Sequence, residues 1–166
     1  VIPQQYRPAV EKGIVEAAAK GVIAGYPVVD FKIALTFGSY HTVDSSEMAF
    51  KIAGSMAFQK GVMDCQPILL EPIVNIEIEV PDEYMGDVIG DLNSRRGRVQ
   101  GMDAKGSNQI IKGQVPLAEI LKYAPDLRSM TSGRGNFTYT HSHYEEVPAF
   151  IAEKIIAAYK KDKEEE

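Results

Sequence analysis

One cysteine, Cys65, is all that the 166 residues contain. That excludes an intramolecular disulfide framework and a cysteine-rich zinc site, and it fits a reducing compartment. No run of about 18 uninterrupted apolar residues occurs, so no membrane-spanning helix is expected. No basic-then-apolar leader opens the chain. Its first residue is Val1 rather than Met, which reads as a piece of a longer gene product. Positive charge is not in excess either. Eighteen Lys and Arg face 23 Asp and Glu, and the net charge of −5 argues against a wholesale polyanion binder while allowing local basic patches. What is present is ordinary for a soluble globular protein: 45% apolar and 25% charged residues, in a length that suits one domain or two small ones.

Residues 1–20 carry Tyr6, Val10, Ile14 and Ala18 at four-residue spacing, one stripe of a helix. Pro3 suits its first turn, and Gly21 and Gly25 end it. Over 28–37 the period changes to two. Val29, Phe31, Ile33, Leu35 and Phe37 alternate with Asp30, Lys32 and Thr36, which predicts a half-buried strand. A loop follows over 38–43. Asp44 and Glu47 stand at capping-box spacing and predict a helix over 44–60, ended by Gly61. That helix is apolar nearly all round and needs cover on more than one side. Pro67 and Pro72 make a stiff connector, which marks a domain boundary.

In the second half, Val74, Ile76, Ile78 and Val80 alternate with Asn75, Glu77 and Glu79 in a strand over 73–80. A helix over 83–96 follows, with Met85, Val88, Ile89 and Leu92 on one face, Arg95 and Arg96 at its negative end, and Gly97 as its stop. Strands over 98–104 and 109–115 flank a short hairpin turn at 105–108. Pro116 opens a helix through Leu117, Ile120 and Leu121, and Pro125 breaks its continuation. A flexible loop over 132–135 leads to a strand over 136–144, where Phe137, Tyr139 and His141 alternate with Thr138, Thr140 and Ser142. The order β-α-β-β-α-β is the ferredoxin-like split motif. A last helix over 148–160 ends in a charged tail that is expected to fray.

The first unit is incomplete by the same reasoning, because two helices and one strand do not make a sheet. Strands preceding Val1 are expected to complete it, and the edge of strand 28–37 is expected to lie open to another copy. The fold class is α+β: a partial split β-α-β domain, then a ferredoxin-like sandwich and a C-terminal helix.

Four segments carry a resemblance to a known family. Residues 38–47 read Gly-Ser-Tyr-His-Thr-Val-Asp-Ser-Ser-Glu, and 86–97 read Gly-Asp-Val-Ile-Gly-Asp-Leu-Asn-Ser-Arg-Arg-Gly. Residues 115–119 read Val-Pro-Leu-Ala-Glu, and 127–135 read Leu-Arg-Ser-Met-Thr-Ser-Gly-Arg-Gly. In this order and spacing the chain resembles the C-terminal part of elongation factor G, over essentially its whole length. The resemblance implies that 1–66 are the C-terminal part of the family's fourth domain, a ribosomal-protein-like split β-α-β fold with a left-handed crossover. It implies that 67–147 are the ferredoxin-like fifth domain and 148–166 the C-terminal helix and charged tail. The family is a cytoplasmic, ribosome-dependent GTPase that moves tRNA and mRNA after peptide transfer and acts in ribosome recycling. Its GTP and Mg2+ site lies in an N-terminal domain. This chain has no Gly-x-x-x-x-Gly-Lys-Ser/Thr phosphate cradle, so it is expected to hold no cofactor or metal and to catalyse nothing itself. Thr42 stands where the family usually has Asp.

The resemblance also implies partners for particular residues. Ser39, Tyr40, His41 and Thr42 would form the fourth-domain tip that enters the decoding site beside tRNA and mRNA. An imidazole beside a hydroxyl and a phenol can hydrogen-bond phosphates and 2′-hydroxyls and stack on bases. Arg128, Ser132 and Arg134 would approach the sarcin–ricin loop of the large-subunit RNA, near the stalk base and the parent chain's GTPase domain. Guanidinium groups suit bidentate phosphate contact. Asp44 and Glu47 read as caps, Arg95 and Arg96 as complements to a helix dipole, and Arg98 as an ion-pair partner. His141 and His143, two apart on a strand, are expected on one face and read as surface or packing histidines rather than metal ligands. Cys65 reads as a small apolar packing group. Two rivals stand beside translocation: a paralogue for ribosome recycling, and a ferredoxin-like regulatory module that binds a metabolite or a protein partner.

Overall fold

The period-two pattern around Ile76 forms β1 (Leu70–Pro81), a central strand of an antiparallel four-stranded sheet in a computed structural model that describes residues 2–165. Two helices, α1 (Arg7–Lys20) and α2 (Glu47–Asp64), lie earlier in the chain. After β1 come α3 (Met85–Ser94), β2 (Arg98–Lys105), β3 (Asn108–Pro116), α4 (Tyr123–Met130) and β4 (Asn136–Glu146). The strand order β2-β3-β1-β4 is the ferredoxin-like arrangement expected from the pattern. Ile78 pairs with Ile111 on one side and Phe137 on the other. Cross-strand partners share a face, so Val74, Ile76, Ile78, Val80, Ile111 and Val115 form one apolar surface. Val88 and Leu92 from α3, with Ile120, Tyr123 and Leu127 from the α4 region, close over it, and none of these residues is more than 4% exposed. The other face is polar, with Asn75, Glu77 and Lys112 exposed.

Local chemistry departs from expectation at two helix ends. Arg96, not Gly97, takes the left-handed position after α3 at φ +61, and the Gly97 N–H donates to the Leu92 carbonyl at 2.9 Å. Gly97 is required for closeness, since a Cβ there would lie 2.6 Å from that carbonyl oxygen. Pro125 does not break a helix. It sits in the first turn of α4, where its missing N–H has no intrahelical acceptor to lose, while Leu117–Ile120 forms a separate 3-10 turn.

Contacts divide the chain into two compact units. One is Leu69–Val147, and the other runs to Ile68 and takes in the segment from Pro148. In the latter, α1 packs on α2. Their approach needs glycine: a Cβ on Gly13 would lie 2.0 Å from the Lys51 carbonyl oxygen, and one on Gly54 2.7 Å from that of Val10. Small clusters form around Ile2, Val10 and Phe50, and around Ala17, Ala18 and Phe58. Ser46, not Asp44, caps α2 by accepting from the Ala49 N–H at 3.1 Å. The helix runs past Gly61 to Asp64, and Cys65 at its end is exposed rather than packed. Within this unit α2 is covered on the side of Phe50, Gly54 and Phe58 only, and Met48, Ile52, Met56 and Met63 stay exposed. The last helix, α5 (Ala149–Glu164), is longer than expected, because the charged segment continues it instead of fraying at Lys160.

The strand expected over 28–37 does not form. The segment has no ladder partner among the described residues, Asp30 turns to φ +58, and Phe37 is 84% exposed. Only Phe31 finds an aromatic neighbour, the Phe58 ring at 5.3 Å. Alternation describes a segment able to bury one face, whereas a strand also needs a neighbouring backbone. No helix among the described residues is long and apolar enough to cross a membrane.

Candidate nucleic-acid interface

The loop before α2 gathers four of the expected contact residues. Ser39, Tyr40, His41 and Thr42 are all exposed. The backbone is fastened beside them, because the Ser45 hydroxyl accepts from the His41 N–H at 3.1 Å while the next residue, Ser46, caps α2. The Tyr40 ring tilts against Tyr6 at 5.9 Å, and Tyr6 stacks on Phe50 at 4.7 Å. A Cβ on Gly38 would lie 2.4 Å from the Ile2 side chain, so the base of the loop is pressed onto that cluster. The result is a polar tip on an apolar footing, with the His41 side chain free to meet a partner. Val43 crowns it at 90% exposure.

The last turn of α4 and the loop after it gather the other three, Arg128 on the helix and Ser132 and Arg134 on the loop. Thr131 is fully buried, and its hydroxyl donates to the Leu127 carbonyl and accepts from the Gly135 N–H, both at 2.7 Å. The Gly133 N–H donates to the Arg128 carbonyl at 2.8 Å. Ser132 and Gly133 both take positive φ, 52° and 80°. The segment read as flexible is therefore hydrogen-bonded at nearly every step. Arg128 is exposed and makes no ion pair among the described residues. Arg134 is engaged: it donates to Tyr84 Oη at 2.6 Å and to Glu83 Oε1, and its guanidinium carbon stands 4.9 Å from the Tyr84 ring centre. The Tyr84 hydroxyl and then Glu83 push the Arg134 pKa further up, so its charge is permanent. Sequence reasoning misses Tyr84 and Glu83. They lie some fifty residues before Arg134, and no local spacing connects them.

The remaining basic cluster is structural. Arg95 binds Asp91 at 2.8 Å, Asp126 at 2.6 Å and the Glu119 carbonyl at 3.0 Å, and lies over the Tyr123 ring. Arg96 holds the buried Glu71 through two bonds of 2.6 and 3.0 Å and reaches Glu119 at 3.1 Å. Both guanidinium groups are spent on carboxylates, more than on the helix dipole. Arg98 pairs with Glu145 at 2.6 Å. A bulge in β4 corrects the histidines: His141 pairs with Val74 and His143 with the adjacent Ile73, so the two point to opposite faces. His143 instead bridges Ser142 and Glu145, at 2.8 Å each. No cluster among the described residues could hold a metal ion.

Residues 1–66 match the family model for elongation factor G, domain IV, and residues 68–155 match that for the elongation factor G C-terminus. A crystal structure of a Thermus thermophilus protein is similar at TM-score 0.80 and 47% identity. The match covers 97% of this chain and 24% of that one, so the chain spans about a quarter of that relative's length.

Proposed function

Because the chain belongs to the elongation factor G family, we propose that it is the ribosome-contacting arm of a translation elongation factor acting in the cytoplasm, in the GTP-dependent movement of tRNA and mRNA. The observation that carries the reading is the pair of exposed loops, each fastened from beneath by buried or capped residues: 39–42 on one unit and 128–134 on the other. A wedge must hold its shape under load, and both loops are braced by hydrogen bonds from within the chain. The tip presents an imidazole, hydroxyls and a phenol, which suit phosphate, ribose and base contacts. The second loop presents guanidinium groups, which suit phosphates of the sarcin–ricin loop near the stalk base.

In this proposal the chain does no bond chemistry. GTP and Mg2+ belong to a GTPase domain of the parent protein, since the sequence here has no phosphate cradle to fit them. The arm occupies space that tRNA vacates and so biases the ribosome's conformations. The test is co-sedimentation of the chain with ribosomes, joined to single-round translocation by the parent protein. His41→Ala is expected to slow translocation at least about tenfold, roughly the loss of one or two good contacts, while GTP hydrolysis persists. Unchanged translocation in both His41→Ala and Arg128→Ala variants overturns the reading. Saturable stabilisation of the chain by a metabolite, without ribosome binding, would favour a ligand-binding module instead.

A further inference from the structure

Ser132 and Arg134 do not stand alone on their loop. Both are tied to Tyr84, at the junction between β1 and α3. Arg134 donates to the Tyr84 hydroxyl at 2.6 Å, that hydroxyl donates to Ser132 Oγ at 3.2 Å, and the phenol ring lies beneath the guanidinium. Tyr84 is half-buried and packs on the main core, so it is the fixed member of the trio. The same Arg134 nitrogen also meets Glu83, whose side chain is 60% exposed against 53% for Arg134. The two attachments differ in kind. Tyr84 is neutral, core-anchored and holds the guanidinium by face and edge. Glu83 is charged and solvated, and an exposed ion pair of this sort is weak and easily exchanged.

We infer that Tyr84 is the positioning residue of this loop and that Glu83 is its built-in competitor. The loop takes up a phosphodiester by exchanging one carboxylate for it while Tyr84 keeps Arg134 in place. This rests on the reading of the loop as an RNA contact. The carboxylate and a phosphate oxygen cannot occupy the same edge of the guanidinium. A phosphate in an RNA backbone brings neighbouring charges, and Arg128, unpaired one helical turn before Ser132, adds a second attraction that an isolated anion cannot use. Glu83 therefore sets a threshold that favours densely charged RNA over small monovalent anions. Ser107 and Asn108 line the shallow concavity beside the pair and offer the released carboxylate polar groups, while Asp82 on the same wall repels it.

The test uses the whole 166-residue chain and a fluorescein-labelled RNA hairpin, followed by anisotropy across a salt series. Glu83→Gln is expected to tighten binding about threefold, the worth of one exposed ion pair, and to steepen the salt dependence. The gain should vanish in an Arg134→Ala background. Tyr84→Phe keeps the ring and loses the hydroxyl, and is expected to weaken binding by a similar factor without rescue by Glu83→Gln. Slowed solvent exchange of the Arg134 Nη2–H protons, read by NMR without RNA in a Glu83→Gln background, should be lost on adding Tyr84→Phe. A Glu83→Gln gain that persists without Arg134 is a general charge effect and overturns the competitor. Unaltered Nη2–H exchange on adding Tyr84→Phe in that background overturns the positioning role. If the wild-type chain binds no hairpin even at low salt, the RNA reading of the loop and the exchange fall together, and the Nη2–H measurement alone decides Tyr84.

Discussion

Residues 73–80 and 28–37 carry the same instruction, alternate apolar side chains over about eight to ten positions, and end in different states. The first becomes β1, with β3 on one edge and β4 on the other, and its inward residues are 0–1% exposed from Val74 to Val80. The second finds no ladder among the described residues and leaves Val29, Phe31, Ile33, Leu35 and Phe37 exposed. The contrast separates two requirements that a periodicity merges. Side chains need a surface to cover, and backbone groups need a partner along at least one edge. Unit Leu69–Val147 supplies both from its own residues. The helical unit supplies 28–37 with little of either, a bond from the Val28 N–H to the Ala18 carbonyl at 2.8 Å and packing at Val28 and Phe31, and holds itself together by glycine-mediated contact between α1 and α2 and by two small clusters.

The widest separation between the two regions should come from matched truncations. Ile76→Ala is expected to cost about 2–5 kcal/mol, because it removes a fully packed side chain from a core that cannot collapse around the gap. Ile33→Ala should change stability by no more than about 0.5 kcal/mol. Urea unfolding of both variants measures the difference, and equal costs would mean that 28–37 is packed after all. A smaller effect separates the cores themselves. Gly13→Ala places a methyl carbon against the Lys51 carbonyl oxygen and should cost about 1–3 kcal/mol as α1 and α2 move apart. Helical circular dichroism would show the loss in a melt whose sheet signal keeps its midpoint. A single shifted transition would instead mean that the two units unfold as one.

The smallest effect tests whether the sheet core is as dry as it is dense. The Tyr123 hydroxyl is buried with no hydrogen-bond partner among the described residues, and burial pushes its pKa up to about 12 from 10.0. An unfolded chain releases this proton above pH 10.0 while the folded one keeps it, so the contribution to stability is whole below that pH and drains as pH rises towards 12. Tyr123→Phe should leave neutral-pH stability within about 0.5 kcal/mol and flatten that alkaline loss. A large loss at neutral pH would show that the hydroxyl has a partner.

Much of the sandwich is legible because its signals are local. The periods at 73–80 and 83–96, the turn at Gly106 and the β-α-β-β-α-β order all survive in the structure. Helix ends are less legible, because capping turns on which hydroxyl reaches which N–H. Ser46 displaces Asp44 at α2, and Arg96 takes the left-handed position expected of Gly97. The contact loops are identified by family resemblance, and their internal fastening by Ser45 and Thr131 has no spacing to announce it.

Composition and periodicity are enough to establish an α+β chain, acidic overall, with a ferredoxin-like half, because amphipathic patterning is a property of consecutive residues. Which charges are free and which are spent is not. Arg95 and Arg96 are consumed by Asp91, Asp126, Glu71 and Glu119, Arg134 is shared between Tyr84 and Glu83, and Arg128 stays open. Those pairings join residues up to about fifty positions apart, and ion pairs and hydrogen bonds act over a few ångströms of space whatever the separation along the chain. Only folding brings the partners within that range.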